Sequence, residues 1–376
     1  MWNSLPNDRR KVENYKEFRR LLQISKSRNK TSLLTRFSSD GTETASPEQT
    51  RPVPVLIVSY MRSGSTFTAD VINSYESSYY IFEPLRNVIK KMEKGSPIEL
   101  INGTVVSEFK HLAVWIADFL FSWLTCDYDQ LDKESVINIA YNIPTSFQNC
   151  LRKFKRIKKD SFLNTCIQLL QMQCESSKLR LVKTIRAHMK TTVEILLKRI
   201  PGLKVVHLFR DQRPRLLSAE NTPTMMNQPL QQTAKLECSR IYENIAMHKV
   251  LKQQYPGQVE TLLYERLAEH PISTAKRIYK FLNLPITKES ITHIQNMTSA
   301  PHESKCNFCT KKMNSTKTAH AWRKKMSSDF AKIKMIESEC ENVQNVLGYM
   351  PVKNSEELIN TSKILREVTP FTADTL

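Results

Sequence analysis

The sequence predicts an α/β fold of three layers, a central parallel sheet flanked by helices. Three observations predict it. Short apolar runs recur at 53–58, Tyr79–Phe82, Leu179–Lys183, Lys204–Phe209 and, after a Pro-Gly turn, Val259–Tyr264. Longer helical patterns separate them, at 108–125, 162–175, 189–199, 231–254 and 271–283. The first run also leads through a turn of small, hydroxyl-bearing residues into an amphipathic segment, Thr66–Tyr75. Strands that alternate with helices pair in parallel, because the crossover helix returns the chain to the same end of the sheet.

The chain has 376 residues, enough for one large α/β domain or two ordinary ones, and 40% are hydrophobic. Residues 1–52 read as a basic N-terminal stem. Within it, 9–28 is charged with Val12, Tyr15, Phe18, Leu21 and Leu22 on one helical side, and 29–52 is a Ser/Thr/Arg/Pro-rich linker. The folded domain spans 53–352, and 353–376 reads as a C-terminal tail.

A formal charge of +19 points to anionic partners: nucleic acid, a sulfated or phosphorylated ligand, or an acidic glycan. No zinc-finger or RNP-type pattern is present, so nucleic acid is not expected. The eight cysteines include Cys306-x-x-Cys309 without a second pair or a His cluster, which disfavours a metal centre. Their even number suits disulfides in an oxidising lumen. Sequons at Asn29, Asn102, Asn296, Asn314 and Asn360 agree with a secretory route. The N-terminus lacks an apolar signal region. The most apolar stretch, Leu112–Thr125, contains Asp118 and falls short of the ~20 residues that span a bilayer, so it reads as a buried helix.

The turn at 59–67 is Ser-Tyr-Met-Arg-Ser-Gly-Ser-Thr-Phe. A strand, a tight turn and a helix start present backbone N–H groups to an anion, as a P-loop does. Against the nucleotide-binding pattern GxxxxGK[ST], however, Ser59 replaces the first Gly and Ser65 replaces the Lys. Arg62 is the only strong cation in the turn. A second element, Lys204–Ser218, is a buried strand ending in Arg210 with Ser218 eight residues on. A guanidinium fork and a hydroxyl suit a phosphate.

Together these segments resemble the sulfotransferases that use the activated sulfate donor PAPS. Phe82-Glu83-Pro84-Leu85, Lys183-Thr-Ile-Arg186, Leu236-Glu-Cys238, Leu263-Tyr264-Glu265, Asn314–Arg323, Cys340 and Leu347–Pro351 resemble the Golgi carbohydrate 6-O-sulfotransferases acting on galactose, N-acetylgalactosamine or N-acetylglucosamine. The resemblance covers residues 53–352 and implies a P-loop-like fold. It implies that Arg62, Ser63, Gly64, Ser65, Thr66 and Phe67 grip the 5′-phosphosulfate, and that Arg210 and Ser218 grip the 3′-phosphate. It implies Glu83 as general base and Arg62 as the group that neutralises the leaving phosphate without a metal. It further implies a glycan or proteoglycan acceptor and a Golgi-lumen location behind an N-terminal anchor, which this sequence does not display.

The chain departs from the family pattern at two places. Ser218 is followed by Ala219-Glu220 where Ser-Arg is usual, so one cation near the 3′-phosphate is either missing or replaced by Arg213 or Arg215. Tyr264-Glu265-Arg266 stands for Tyr-Glu-Asp. By resemblance Lys317 and Arg323 lie over the donor. Plainer roles compete at several positions: Ser65 and Thr66 as helix caps, Arg210 as an ion-pair partner of Asp211 or Glu220, and His207 as a core histidine. Arg152–Lys159 is a solvated helix face or an attractor of acidic glycan. Two other functions fit parts of the pattern: a P-loop small-molecule kinase, which the missing Walker Lys disfavours, and a non-catalytic polyanion binder.

Overall fold

A computed structural model describes residues 51–109, 111–138, 145–157, 160–222, 228–302 and 309–376. The stem at 1–50, Asn29 and Cys306 lie outside the described residues. The central sheet holds β1 (Val53–Val58), β2 (Ser78–Phe82), β5 (Leu179–Thr184), β6 (Lys204–Phe209) and β7 (Val259–Leu263). They are all parallel, in the order β2-β5-β1-β6-β7. A small antiparallel pair, β3 (Ile98–Glu99) and β4 (Val105–Val106), stands apart. Each strand foreseen from its apolar run is present. The fifth is one residue shorter than expected, because Tyr264 opens a helix.

β1 is central and buried on both faces, which its VPVLIV sequence allows. Pro54 is tolerated there for a topological reason. The N–H of Val53 bonds Lys178 on the β5 side, so residue 54 faces β6, and β6 pairing begins only at Val55. The proline therefore leaves no ladder bond unmade.

Alternate residues of β1 enter different cores. Val55 and Ile57 pack with helices 65–73 and 271–281 through Ala69, Ile72, Ala275 and Ile278. Leu56 and Val58 pack with helices 112–125, 160–176 and 194–199 through Ile116, Leu120, Trp123, Leu170 and Leu196. Each such side chain contributes about 1.5–3 kcal/mol when fully buried. The apolar run 112–125 is thus a buried helix, and no helix among the described residues is long and apolar enough to cross a membrane.

A third core surrounds Phe209 and joins helices 212–220, 230–254, 330–339 and 341–347. The expected tail folds against the domain. Leu358 is buried, Arg366 bonds Glu269, and the N–H of Leu376 donates to Thr261 at the sheet edge.

Three disulfides cross-link these layers: Cys126–Cys174, Cys150–Cys166 and Cys238–Cys340. Cys309 is disulfide-bonded as well, so it is no metal-binding thiolate. Cys238–Cys340 closes the longest loop, with a sequence separation of 102, and pins helix 230–254 to the C-terminal helices. Replacing both cysteines by Ser is expected to lower unfolding free energy by roughly 2–5 kcal/mol, from loop-closure entropy. Chemical denaturation of the two proteins under non-reducing conditions measures this; equal midpoints would contradict it.

Candidate active site

All five sheet strands end on one edge, where an open α/β sheet binds its ligands. That edge carries the turn after β1, Glu83 after β2, Ile185 and Arg186 after β5, Arg210 after β6 and Tyr264 after β7. β1 connects towards β2 and β6 towards β7, so the connections part between β1 and β6.

The turn after β1 is built from two left-handed residues, Arg62 (φ 64°) and Gly64 (φ 84°). Gly64 is also the N-cap of helix 65–73, without a side-chain cap bond. The capping role considered for Ser65 and Thr66 therefore belongs to a glycine. A Cβ on Gly64 would lie 2.2 Å from Cδ2 of Tyr264. The ring occupies that space, Phe67 meets its edge at 6.3 Å, and the Arg210 guanidinium lies over it at 4.4 Å.

Arg210 then donates to the carbonyl of Arg62 (2.9 Å), and Arg62 Nε donates to Ser218 Oγ (2.9 Å). The two elements expected to bind anions are thus joined directly. Neither arginine takes part in an ion pair among the described residues; Asp211 pairs with Arg213 and Glu220 with Lys332. Partial burial, and then the neighbouring Arg210, lower the pKa of Arg62. Two guanidiniums this close, with no acid between them, repel each other and favour an anion beside them. At this cradle, two buried polar atoms also lack hydrogen-bond partners among the described residues: Ser63 Oγ, on a fully buried residue, and Arg210 Nε. With the open N–H groups of the first helical turn, these donors face one end of the sheet without an acid among them.

Behind the turn lies a buried polar network. Tyr60 OH meets His207 Nε2 (2.9 Å), His207 Nδ1 meets His248 Nδ1 (3.3 Å), and His248 Nε2 meets Thr261 (3.0 Å). Asn244 donates to Tyr60 OH and accepts from the N–H of Met189. His207 is therefore the core histidine of the plainer reading. It ties the base of the turn to β6, β7 and helix 230–254.

Glu83 is buried and left-handed (φ 47°). The other non-glycine residues at positive φ among the described residues, Cys126 and Asn283, follow helix ends, where that conformation is ordinary; Arg62 and Glu83 do not. Glu83 Oε1 accepts from Lys183 Nζ (3.0 Å) and the Ile185 N–H (3.0 Å), and Oε2 accepts from Arg186 (2.5 Å). Burial lowers the pKa of Lys183, and Glu83 opposes that shift. A carboxylate has about four acceptor positions, so one on Oε2 is open. β5 separates β2 from β1, so Glu83 stands two strands away from the turn along the sheet edge.

Several expected cations serve the fold instead. Arg213 is fully buried between Asp211, Glu337 and the Met350 carbonyl. Arg215 points to Gln212, Glu237 and Met61 rather than to Ser218. Arg323 donates to carbonyls of Glu357, Leu358, Asn360 and Lys363, holding the C-terminal segment. Lys317 is exposed, and Asn314 caps helix 315–320.

Sequence reasoning gave no role to Tyr264, Glu265, Lys183 or Arg186. Glu265 is buried and accepts from the Asp211 N–H (3.1 Å) and Tyr349 OH (2.6 Å), fixing the backbone beside Arg210. Burial, and then Asp211, raise its pKa. A charge inside an apolar strand run was the available signal for Lys183.

A family model, Sulfotransferase domain, matches residues 52–349, and the chain belongs to that family. It is 25% identical over 346 residues to Carbohydrate sulfotransferase 6 of Homo sapiens, covering 82% of this chain and 83% of that one. It is 23% identical over 368 residues to Carbohydrate sulfotransferase 4 of Mus musculus (85% and 90%), and 25% identical over 380 residues to Carbohydrate sulfotransferase 1 of Mus musculus (91% and 90%). Among solved structures, the sulfotransferase domain of the Synechococcus PCC 7002 olefin synthase aligns at TM-score 0.40 and 18% identity, covering 79% of this chain and 98% of that one.

Gly64→Ala is expected to destabilise the protein by about 1–3 kcal/mol through its left-handed φ and the clash with Tyr264. Tyr264→Ala in the same chain should recover part of that loss, so the two changes couple in a double-mutant cycle of denaturation midpoints; strict additivity would count against the contact.

The buried histidines set an acid limit. His248 is pushed down to about 3, first by burial and then by Lys252, and His188 to about 4, first by burial and then by Arg240. Their folded pKa values lie below the ordinary 6.5, so the unfolded chain binds the extra protons. Stability is full above 6.5 and falls as pH drops towards 4. Calorimetry from pH 7.5 to 4.5 should show a steady fall in Tm below 6.5; a flat profile would mean the rings are not held neutral.

Proposed function

We propose that this sulfotransferase moves a sulfuryl group from PAPS to a sugar hydroxyl, the 6-OH of galactose, N-acetylgalactosamine or N-acetylglucosamine in a glycan, within the Golgi lumen. The observation that carries the donor assignment is the junction of Arg62, Arg210 and Ser218, a doubly cationic cradle without an acid. A donor with a 5′-phosphosulfate and a separate 3′-phosphate matches it. Support for a sugar acceptor comes from relatives named as carbohydrate sulfotransferases. The disulfides agree with an oxidising lumen.

In this reading the loop 62–67 holds the phosphosulfate, and Arg210 with Ser218 holds the 3′-phosphate. Glu83 accepts the hydroxyl proton on the open side of Oε2. The freed oxygen forms a bond to sulfur as the bond from sulfur to the phosphate oxygen breaks. The electron pair leaves with the phosphate, and Arg62 neutralises it. Lys183, Arg186 and the Ile185 N–H hold the Glu83 carboxylate in place and aim it. Preorganised donors that meet developing charge supply much of such a rate enhancement.

A transfer assay with labelled PAPS in EDTA, over a panel of neutral and acidic glycans, tests the reading. Arg62→Ala should lower kcat by about 10²–10³, and Glu83→Gln by about 10²–10⁴. Full turnover by Glu83→Gln would remove it as the base, and a requirement for ATP and Mg²⁺ would overturn the reaction class.

A further inference from the structure

Arg215 and Arg240 form a second cationic cluster that the donor cradle does not use. Arg215 lies on helix 212–220 and Arg240 on helix 230–254. Both pair with one carboxylate oxygen, Glu237 Oε2, at 3.2 Å and 3.0 Å. They flank Tyr60, with guanidinium carbons 6.0 Å and 5.2 Å from the ring centre, and Arg215 also reaches the Met61 carbonyl. One acid between two guanidiniums leaves an excess of one positive charge. The two arginines hold Glu237 ionised, below its ordinary range despite burial. His188 lies close enough to feel both Arg240 and Glu237 and is held neutral, so it adds no charge.

The hydrogen bonding is incomplete. Arg215 is 1% exposed, yet its Nη2 has no partner among the described residues, and neither has the buried Nε of Arg240. Unsatisfied guanidinium donors in a buried, net-positive cluster are costly unless an anion meets them. A quarter of the Arg240 side chain stays in solvent, which gives the cluster an outward face.

Position indicates which anion. Arg62, Arg210 and Ser218 hold the side of the turn facing β6. Arg240 lies near His188, which follows β5, the strand that brings Lys183, and just beyond its end Arg186, to Glu83. We infer that Arg215 and Arg240 form an anion-binding subsite on the acceptor side, which takes a carboxylate carried by the glycan next to the reacting sugar. This rests on the glycan reading above. The subsite would make the enzyme select an acidic acceptor, and it gives Arg215 a role other than replacing a donor-binding cation.

The test is calorimetric binding to protein saturated with PAP. The probes are a hexosamine–uronate tetrasaccharide, its carboxyl-reduced counterpart, and inorganic sulfate. The uronate form should bind about 10- to 100-fold more tightly than the reduced form, as a charge-assisted contact provides. In Arg240→Gln that ratio should fall about tenfold while PAP affinity is retained, which also reports an intact fold. Arg215→Leu should lower the ratio similarly. Equal binding of the two tetrasaccharides to the unsubstituted protein overturns the subsite and leaves the glycan reading standing, as does a ratio unchanged in Arg240→Gln. If sulfate binding is lost in Arg240→Gln but neither tetrasaccharide is preferred, the cluster binds free anions and the acceptor assignment is overturned. Binding of PAP without either tetrasaccharide overturns the glycan reading and the subsite together.

Discussion

The absence of a side chain at Gly64 lets the Tyr264 ring lie directly against the backbone of the first turn, and the site depends on that contact. The ring carries Arg210 on its face, Arg210 holds the carbonyl of Arg62, and Arg62 reaches Ser218. Four segments from β1, β6, β7 and helix 212–220 meet there. Without the close approach, the turn after β1 and the segment after β6 would be separate loops at separate strand ends. With it, they form one cradle whose two positive charges stand together before any ligand arrives.

Such a cradle needs rigid support, because like charges repel and left-handed backbone is strained. The support is polar as well as apolar. The Tyr60–His207–His248–Thr261 chain anchors the base of the turn, Glu265 fixes the residue after Arg210, and three donors fix Glu83. Buried polar networks of this kind are favourable when satisfied and costly when broken. Among the described residues, four of the buried polar atoms without a hydrogen-bond partner, Ser63 Oγ, Arg210 Nε, Arg215 Nη2 and Arg240 Nε, border the turn or the cations around it. A ligand-binding edge is where incomplete satisfaction makes physical sense.

Much of the sheet was legible because it depends on local pattern. Strands at 53–58 and 204–209 follow from β-branched apolar runs, and the helix at 112–125 from length and hydropathy. The turn after β1 was legible for the same reason, since strand, turn and helix are consecutive at 53–73. Lys183 and Tyr264 were harder to read. Each acts on a segment distant in sequence, and a lone charge or aromatic in an apolar run has many explanations. Arg213, Arg215 and Arg323 show the converse error. A cation near a phosphate motif suggests phosphate contact, but these three are buried and face carboxylates or carbonyls of other helices.

The fold class, the five sheet strands, the family resemblance and the strand, turn and helix at 53–73 follow from the sequence alone. Each depends on residues within a few positions of one another, where periodicity and turn chemistry act. Tertiary structure decided which strand lies beside which, and so placed β5 between the turn and Glu83. It also decided which arginines remain free to meet a ligand. That outcome depends on which carboxylates the packing brings within about 3 Å of each guanidinium, and residue order alone does not specify those distances.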